Sequence, residues 1–167
     1  IYHRYMAFQT TWYQSQIPPA VVDLIEKEVN DESSIPDTSW IGGFIWHYIV
    51  RANRENFMYE LSNLDNDSIK YKVYNEGDSQ TWHNDSKPLL EGEGSIRKLS
   101  FTVQLSDVND YEGGNVQFLD ENGRKYFMPR QRGTVSIFDS RTQHRVQKIT
   151  KGTRKSLVGW CVGPVWY

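Results

Sequence analysis

The sequence predicts an α+β protein dominated by β structure, in which two helices lead into a jelly-roll-like pair of sheets. Three observations carry that expectation. Two stretches near the N-terminus repeat apolar residues at helical spacing, from Val21 to Val29 and from Trp40 to Ala52. From Phe57 onward the apolar period becomes two, and eight or more short strand-like runs follow, bounded by Asn, Asp and Gly. A chain of 167 residues is long enough for one full core. No repeat or linker divides it, so a single domain over 1–167 is expected.

Ala7 to Tyr13, aromatic and Thr-rich, reads as an opening strand. Pro18 and Pro19 fit the first turn of a helix, where a missing N–H does no harm. Val21, Leu24, Ile25 and Val29 form its apolar stripe, with Glu26, Lys27 and Glu28 toward water. Thr38 or Ser39 caps a second helix, in which Trp40, Ile41, Phe44, Ile45, Tyr48, Ile49 and Ala52 recur at helical spacing. His47 on that helix reads as structural.

Strands are then expected over Phe57–Leu61, Ile69–Tyr74 and Gln80–Asp85, followed by a polar loop from Ser86 to Ser95. Leu99 to Leu105 alternates apolar Leu99, Phe101, Val103 and Leu105 with polar Ser100, Thr102 and Gln104. Asp110 to Gly114 reads as a turn. Val116–Leu119 and Lys125–Met128 flank Asn122-Gly123, a strong hairpin signal. Val135–Phe138, His144–Ile149 and Lys155–Val162 supply the last strands.

Composition narrows the function. The net charge is -2 and no strong Lys/Arg cluster stands out, so no nucleic-acid partner is expected. No apolar run approaches the length of a membrane span, so no membrane partner is expected either. The single Cys161 excludes an internal disulfide and a Cys-based zinc cluster. No targeting segment is evident, and the expectation is a soluble, cytoplasmic protein; the opening Ile1 leaves room for upstream sequence.

The chemistry gathers around Thr81-Trp82-His83-Asn84-Asp85. On a strand, His83 and Asp85 at i and i+2 share one face, so an imidazole and a carboxylate hold one edge of a metal ion. His144, from a distant strand, completes a facial triad that leaves coordination positions open, a set that favours non-haem Fe(II). Arg154, ten residues after His144, offers a planar fork suited to a carboxylate. Arg154, Ser156, Val158 and Trp160 share one strand face, so Arg154 and Ser156 would grip one carboxylate with Trp160 nearer the metal. The bland alternatives are a hydrogen-bonded surface pair at His83 and Asp85, and an Arg154 paired with a carboxylate of the protein itself.

The ordered motifs Val73-Tyr74-Asn75-Glu76-Gly77-Asp78, Trp82-His83-Asn84-Asp85, Leu99–Asp107, Asp110–Gly114, Gly133–Phe138, His144-Arg145-Val146 and Gly152–Leu157 resemble the Fe(II)/2-oxoglutarate-dependent dioxygenases. Within them the chain is most similar to the PKHD-type, prolyl-hydroxylase-like branch. The resemblance is dense from about Tyr71 to Trp160 and looser upstream. It implies a double-stranded β-helix with iron held by His83, Asp85 and His144, and the distal carboxylate of 2-oxoglutarate held by Arg154, with Ser156 as helper. Tyr74 matches a tyrosine that lines this pocket in prolyl hydroxylases. Gln104 falls where some relatives carry a Tyr that touches the cosubstrate. Collagen-type relatives usually have Lys where this chain has Arg154, which points to the PKHD-type and oxygen-sensing branches.

The implied reaction consumes 2-oxoglutarate and O2, releases succinate and CO2, and hydroxylates a C–H bond, with a peptidyl proline as the leading substrate. Halogenating relatives lack the carboxylate that Asp85 supplies, so its presence argues for hydroxylation. Nucleobase demethylases carry a second Arg six residues beyond the first, and that position here is Trp160. Oxidation of a small molecule or nucleobase, or a jelly-roll domain that binds without catalysis, are the competing readings.

Overall fold

The computed structural model describes residues 11–29, 34–65, 69–86 and 94–166. The first part of the expected Ala7–Tyr13 strand and most of the Ser86–Ser95 loop lie outside the described residues. Strand β1 covers Trp12–Gln16. Helix α1 follows over Pro19–Glu28 with proline in its first turn, as its sequence favours. Its buried face is Val22 and Ile25, continued by Val29, whereas Leu24 is exposed. The apolar residues of this short helix leave its phase ambiguous, and packing against the sheet settles it on Val22. Arg132, just before a later strand, anchors the polar face through Asp23 at 2.8 Å and Glu26 at 3.3 Å.

After the short strand β2, Ser34–Ile35, helix α2 runs from Trp40 to Ala52. The Ser39 side chain accepts from the Gly42 N–H at its start, the capping contact its position predicts. Ile41, Ile45, Ile49 and Ala52 are buried, and His47 is exposed on the helix surface. The expected Phe57–Leu61 strand is absent. Asn53–Phe57 instead continues α2 as a π-helical turn, closed by Met58 in the left-handed region. The Asn53 side chain clamps this exit by bonding both the N–H and the C=O of Tyr59. The apolar residues here pack singly against the core and do not alternate along a strand.

The remaining strands are β3 Asn63–Leu64, β4 Ile69–Tyr74, β5 Gln80–His83, β6 Ser95–Gln104, β7 Tyr111–Gly113, β8 Val116–Leu119 and β9 Lys125–Phe127, then β10 Thr134–Asp139, β11 His144–Val146, β12 Ile149–Gly152 and β13 Arg154–Pro164. Two expectations change. The single His144–Ile149 strand is two strands in different sheets, and the Asp110–Gly114 turn is a 3-10 turn running into β7. Gly113 and Gly152 let β7 and β12 pair closely: both have positive φ, and a side chain at Gly113 would collide with the Lys148 carbonyl oxygen and one at Gly152 with that of Asp110. The β8–β9 hairpin closes through Asp120, whose carboxylate accepts from the N–H groups of Asn122 and Arg124.

Among the described residues all strand pairings are antiparallel. A seven-stranded sheet has the order β1-β10-β6-β13-β4-β2, with β3 on β13, and a four-stranded sheet has the order β5-β11-β8-β9. Strand β6 is buried on both faces. Leu99, Phe101 and Val103 join Ile25, Ile41, Ile45 and Ile49 in the main core, which places both helices against this face of the large sheet. The opposite face carries Ser100, Thr102 and Gln104 toward the small sheet. A second apolar cluster of Val116, Phe118, Met128, Phe138 and Val146 joins the two sheets. Among the described residues no helix is long and apolar enough to cross a membrane.

At the end of β10 a polar clasp closes the large sheet. Arg141 binds Asp139 through Nε at 3.0 Å and Nη2 at 2.7 Å, and the Tyr59 hydroxyl donates to the same carboxylate. Burial pushes the Asp139 carboxyl up, but these donors outweigh it and hold the group below its usual range. A depressed folded pKa stabilises the fold above the ordinary aspartate value near 4, and that stability is lost as pH falls through the folded value. Asp139→Asn is therefore expected to cost about 1.5–3 kcal/mol at neutral pH. Urea unfolding at pH 7 and near pH 3 checks this, with the gap between variant and wild type closing in acid.

Candidate active site

The small sheet brings two distant histidines side by side. Strands β5 and β11 pair so that His83 faces His144, and the ring centroids lie 4.1 Å apart. Asp85 follows just beyond the end of β5, where its N–H donates to the Ser140 carbonyl at 2.8 Å. Its carboxylate reaches both imidazoles: Oδ1 lies 3.5 Å from His83 Nε2 and Oδ2 lies 3.6 Å from His144 Nε2. The ligand atoms of the three residues all fall within 4.8 Å of one another. Asp85 is buried, so the surface-pair reading of His83 and Asp85 does not hold.

Each ring is oriented by a backbone carbonyl two residues earlier. His83 Nδ1 lies 2.7 Å from the Thr81 carbonyl, and His144 Nδ1 lies 2.9 Å from the Thr142 carbonyl. A carbonyl only accepts, so Nδ1 carries the proton in both rings and the Nε2 lone pairs point inward. Burial also draws His144 below its ordinary pKa, against the pull of Asp85, which favours the neutral ligand form. Ser100 Oγ donates to Asp85 Oδ2 at 2.7 Å and sits 2.9 Å from Ser140 Oγ. Two imidazoles and one carboxylate with locked orientations suit a divalent metal such as Fe(II).

A cavity of about 130 Å³ runs from this cluster along the inner face of β13, with Arg154, Ser156 and Trp160 on its wall. The Arg154 side chain is almost wholly buried, at 1% exposure. Its Nε donates to Gln104 Oε1 at 3.1 Å, and its ring neighbour is Tyr74, 5.6 Å from the guanidinium. Nη2 is buried with no hydrogen-bond partner, and so is Ser156 Oγ. Burial draws the guanidinium below its ordinary pKa, with Tyr111 and Tyr74 opposing and Arg130 adding to the shift. Among the described residues no carboxylate pairs with it, so the protein-carboxylate alternative finds no partner there. An unpaired buried cation beside an unpaired hydroxyl is a seat for an anionic ligand, and a dicarboxylate such as 2-oxoglutarate fits this donor set.

Of the residues singled out in the sequence, His83, Asp85, His144, Arg154, Ser156 and Tyr74 all line this one cavity. Gln104 lies behind it. Its Oε1 is taken by Arg154, and its Nε2 donates to the Tyr111 hydroxyl at 2.9 Å and the Ser106 carbonyl at 3.3 Å. Trp160 pairs in register with Ser100 and so stands at the metal end. Sequence reasoning missed Ser100, Ser140 and Tyr111. The polar half of the Leu99–Leu105 alternation was a signal for Ser100, whereas nothing local marks Ser140 or Tyr111.

The architecture and the donor set together define a non-haem metal oxygenase type of site. The chain belongs to the 2OG-Fe(II) oxygenase superfamily, which residues 69–162 match. Membership implies Fe(II) as the metal and 2-oxoglutarate as the cosubstrate. A PKHD-type hydroxylase of Synechococcus sp. (strain CC9902) is 39% identical over 85 residues, covering 50% of this chain and 36% of the relative, so this chain matches little more than a third of that protein. The fold is shared with a Pseudomonas putida prolyl-4-hydroxylase, with a TM-score of 0.71 at 17% identity over 90% of this chain and 87% of that one. It is shared too with a viral collagen prolyl hydroxylase from Paramecium Bursaria Chlorella virus-1, with a TM-score of 0.68 at 14% identity over 94% and 97% of the two chains.

Two outcomes test the assembly of the metal site. Asp85→Ala is expected to abolish stoichiometric Fe(II) uptake under anaerobic reconstitution while leaving the fold intact. Ser100→Ala removes the hydrogen bond that orients Asp85 and is expected to weaken metal binding about tenfold or more. Competitive metal titration reads both.

Proposed function

We propose that this chain is an Fe(II)- and 2-oxoglutarate-dependent dioxygenase that hydroxylates a C–H bond, with a peptidyl proline as the leading substrate. We take its two larger sheets as a double-stranded β-helix and residues 1–167 as one catalytic domain. The observation that carries the reading is Arg154, buried with a free Nη2 in the same cavity as the His83, Asp85 and His144 cluster.

In this reading His83, Asp85 and His144 hold Fe(II) through two Nε2 atoms and a carboxylate oxygen. Arg154 Nη2 and Ser156 Oγ bind the distal carboxylate of 2-oxoglutarate, which satisfies the two orphaned groups at once. Gln104 and Tyr111 hold Arg154 from behind, so Gln104 acts by positioning and not by touching the cosubstrate. Burial pushes the Tyr74 phenol up, so it stays neutral against the same pocket. Val116, Phe138 and Val146 give the cavity an apolar wall that keeps bulk water from the reacting centre. Iron and 2-oxoglutarate, when bound, supply the oxidising chemistry that turns 2-oxoglutarate and O2 into succinate and CO2 and puts one oxygen atom on the substrate. The proline assignment draws support from the two proteins of like fold, a prolyl-4-hydroxylase and a collagen prolyl hydroxylase.

Incubation with Fe(II), 2-oxoglutarate and O2 is expected to yield succinate, and a proline-rich peptide is expected to raise the rate and gain one oxygen atom. Absence of succinate with full iron occupancy contradicts the enzymatic reading. Arg154→Lys keeps a charge but loses the planar fork, and each charge-assisted bond is worth about 1.5–3 kcal/mol. The apparent affinity for 2-oxoglutarate is expected to fall about tenfold to a hundredfold with iron binding unchanged.

A further inference from the structure

The mouth of the cavity is basic, although the chain as a whole is slightly acidic. Strand β4 turns Lys70, Lys72 and Tyr74 to the cavity side, because Tyr74 and Lys72 pair in register with Arg154 and Ser156 and Lys70 with Val158. Lys72 lines the cavity itself, and Lys70 Nζ lies 6.0 Å from the Trp160 ring centroid. On the other side, the Arg97 guanidinium stacks on the same indole at 3.8 Å. The one carboxylate paired with this group among the described residues is Asp65, and its contact with Arg97 Nε is long, at 3.8 Å. Lys70 and Lys72 have no ion-pair partner among the described residues.

We infer that the substrate is an acidic peptide segment, with carboxylates flanking the residue to be hydroxylated and held by Lys70, Lys72 and Arg97 around Trp160. This rests on the hydroxylase reading above and narrows its substrate. The spread of the cations favours a peptide over a small anion. Lys70 and Lys72 stand about 7 Å apart along one strand, and Arg97 lies across the indole from Lys70. One small carboxylate cannot engage all three, whereas an extended chain with acidic side chains on both sides of its target residue can. The deeper Arg154 is a separate anion seat at the other end of the cavity.

The test uses two fluorescent peptides with the same central proline, one flanked by Glu and the other by Lys. Binding is read by anisotropy to the Zn(II)-loaded protein with 2-oxoglutarate, which does not turn over. The Glu peptide is expected to bind on the order of tenfold more tightly at low ionic strength. That advantage is expected to shrink with added salt and to vanish or invert in Lys70→Glu/Lys72→Glu, two exposed positions whose change leaves the core untouched. Equal affinities, or no binding of either peptide, overturn the proposal and leave the lysines as ordinary charges near a sheet edge. Competition by N-acetylglutamate at the concentration of the peptide itself also overturns it, because a small anion would then be all the mouth reads. Succinate formation without any peptide tests the hydroxylase reading separately, so the two ideas fail independently.

Discussion

The structure depends on a buried cation, Arg154, that no carboxylate among the described residues neutralises. Arg154 opens the long strand β13, pairs in register with Tyr74, and points into the space between the sheets. Removing a guanidinium from water without a counter-charge is costly. Here the cost is offset in part by the Gln104 side-chain carbonyl, by the face of Tyr74 and by a side-chain hydrogen bond with Tyr111. A fold selected for stability alone would fill this place with an apolar residue. The remaining attraction is available to an anionic ligand in the cavity that His83, Asp85 and His144 also line.

Precision at the other end comes from short strands with backbone-locked side chains. Strand β5 has four residues and β11 has three, yet both histidines are fixed by carbonyls two residues earlier in sequence. Asp85 is fixed from the opposite sheet, through Ser100 on β6 and Ser140 after β10. The triad is therefore a joint between the two sheets. Loosening the sheet contact at Phe138, which packs on Phe118 and on His144, would loosen the metal site as well. Packing and chemistry share the same residues here.

How much of this could be read from the sequence follows from which features are local. His83 and Asp85 were legible because a spacing of two is a statement about one strand, and Arg154 because the face shared with Ser156 and Trp160 is read along one strand too. The Leu99–Leu105 alternation correctly divided β6 between the main core and the cavity side. What failed depends on tertiary contacts. The choice of Val22 over Leu24 on α1 is made by the sheet beneath it. The π-helical turn after α2 is set by the Asn53 clamp on Tyr59. The break between β11 and β12 sends two neighbouring segments to different sheets, which no periodicity announces. Ser140 and Tyr111 support the site across 55 and 7 positions of sequence, from Asp85 and Gln104 respectively, and only the fold brings them there.

The central claim is that Arg154 and Ser156 exist to hold the distal carboxylate of 2-oxoglutarate opposite the metal. The most direct measurement compares 2-oxoglutarate with 2-oxobutyrate, which keeps the metal-chelating end and lacks that carboxylate, by calorimetric titration of the Zn(II)-loaded protein. The account predicts that 2-oxoglutarate binds at least on the order of a hundredfold more tightly, since two charge-assisted contacts are lost with the distal group. Equal affinities for the two acids would contradict it.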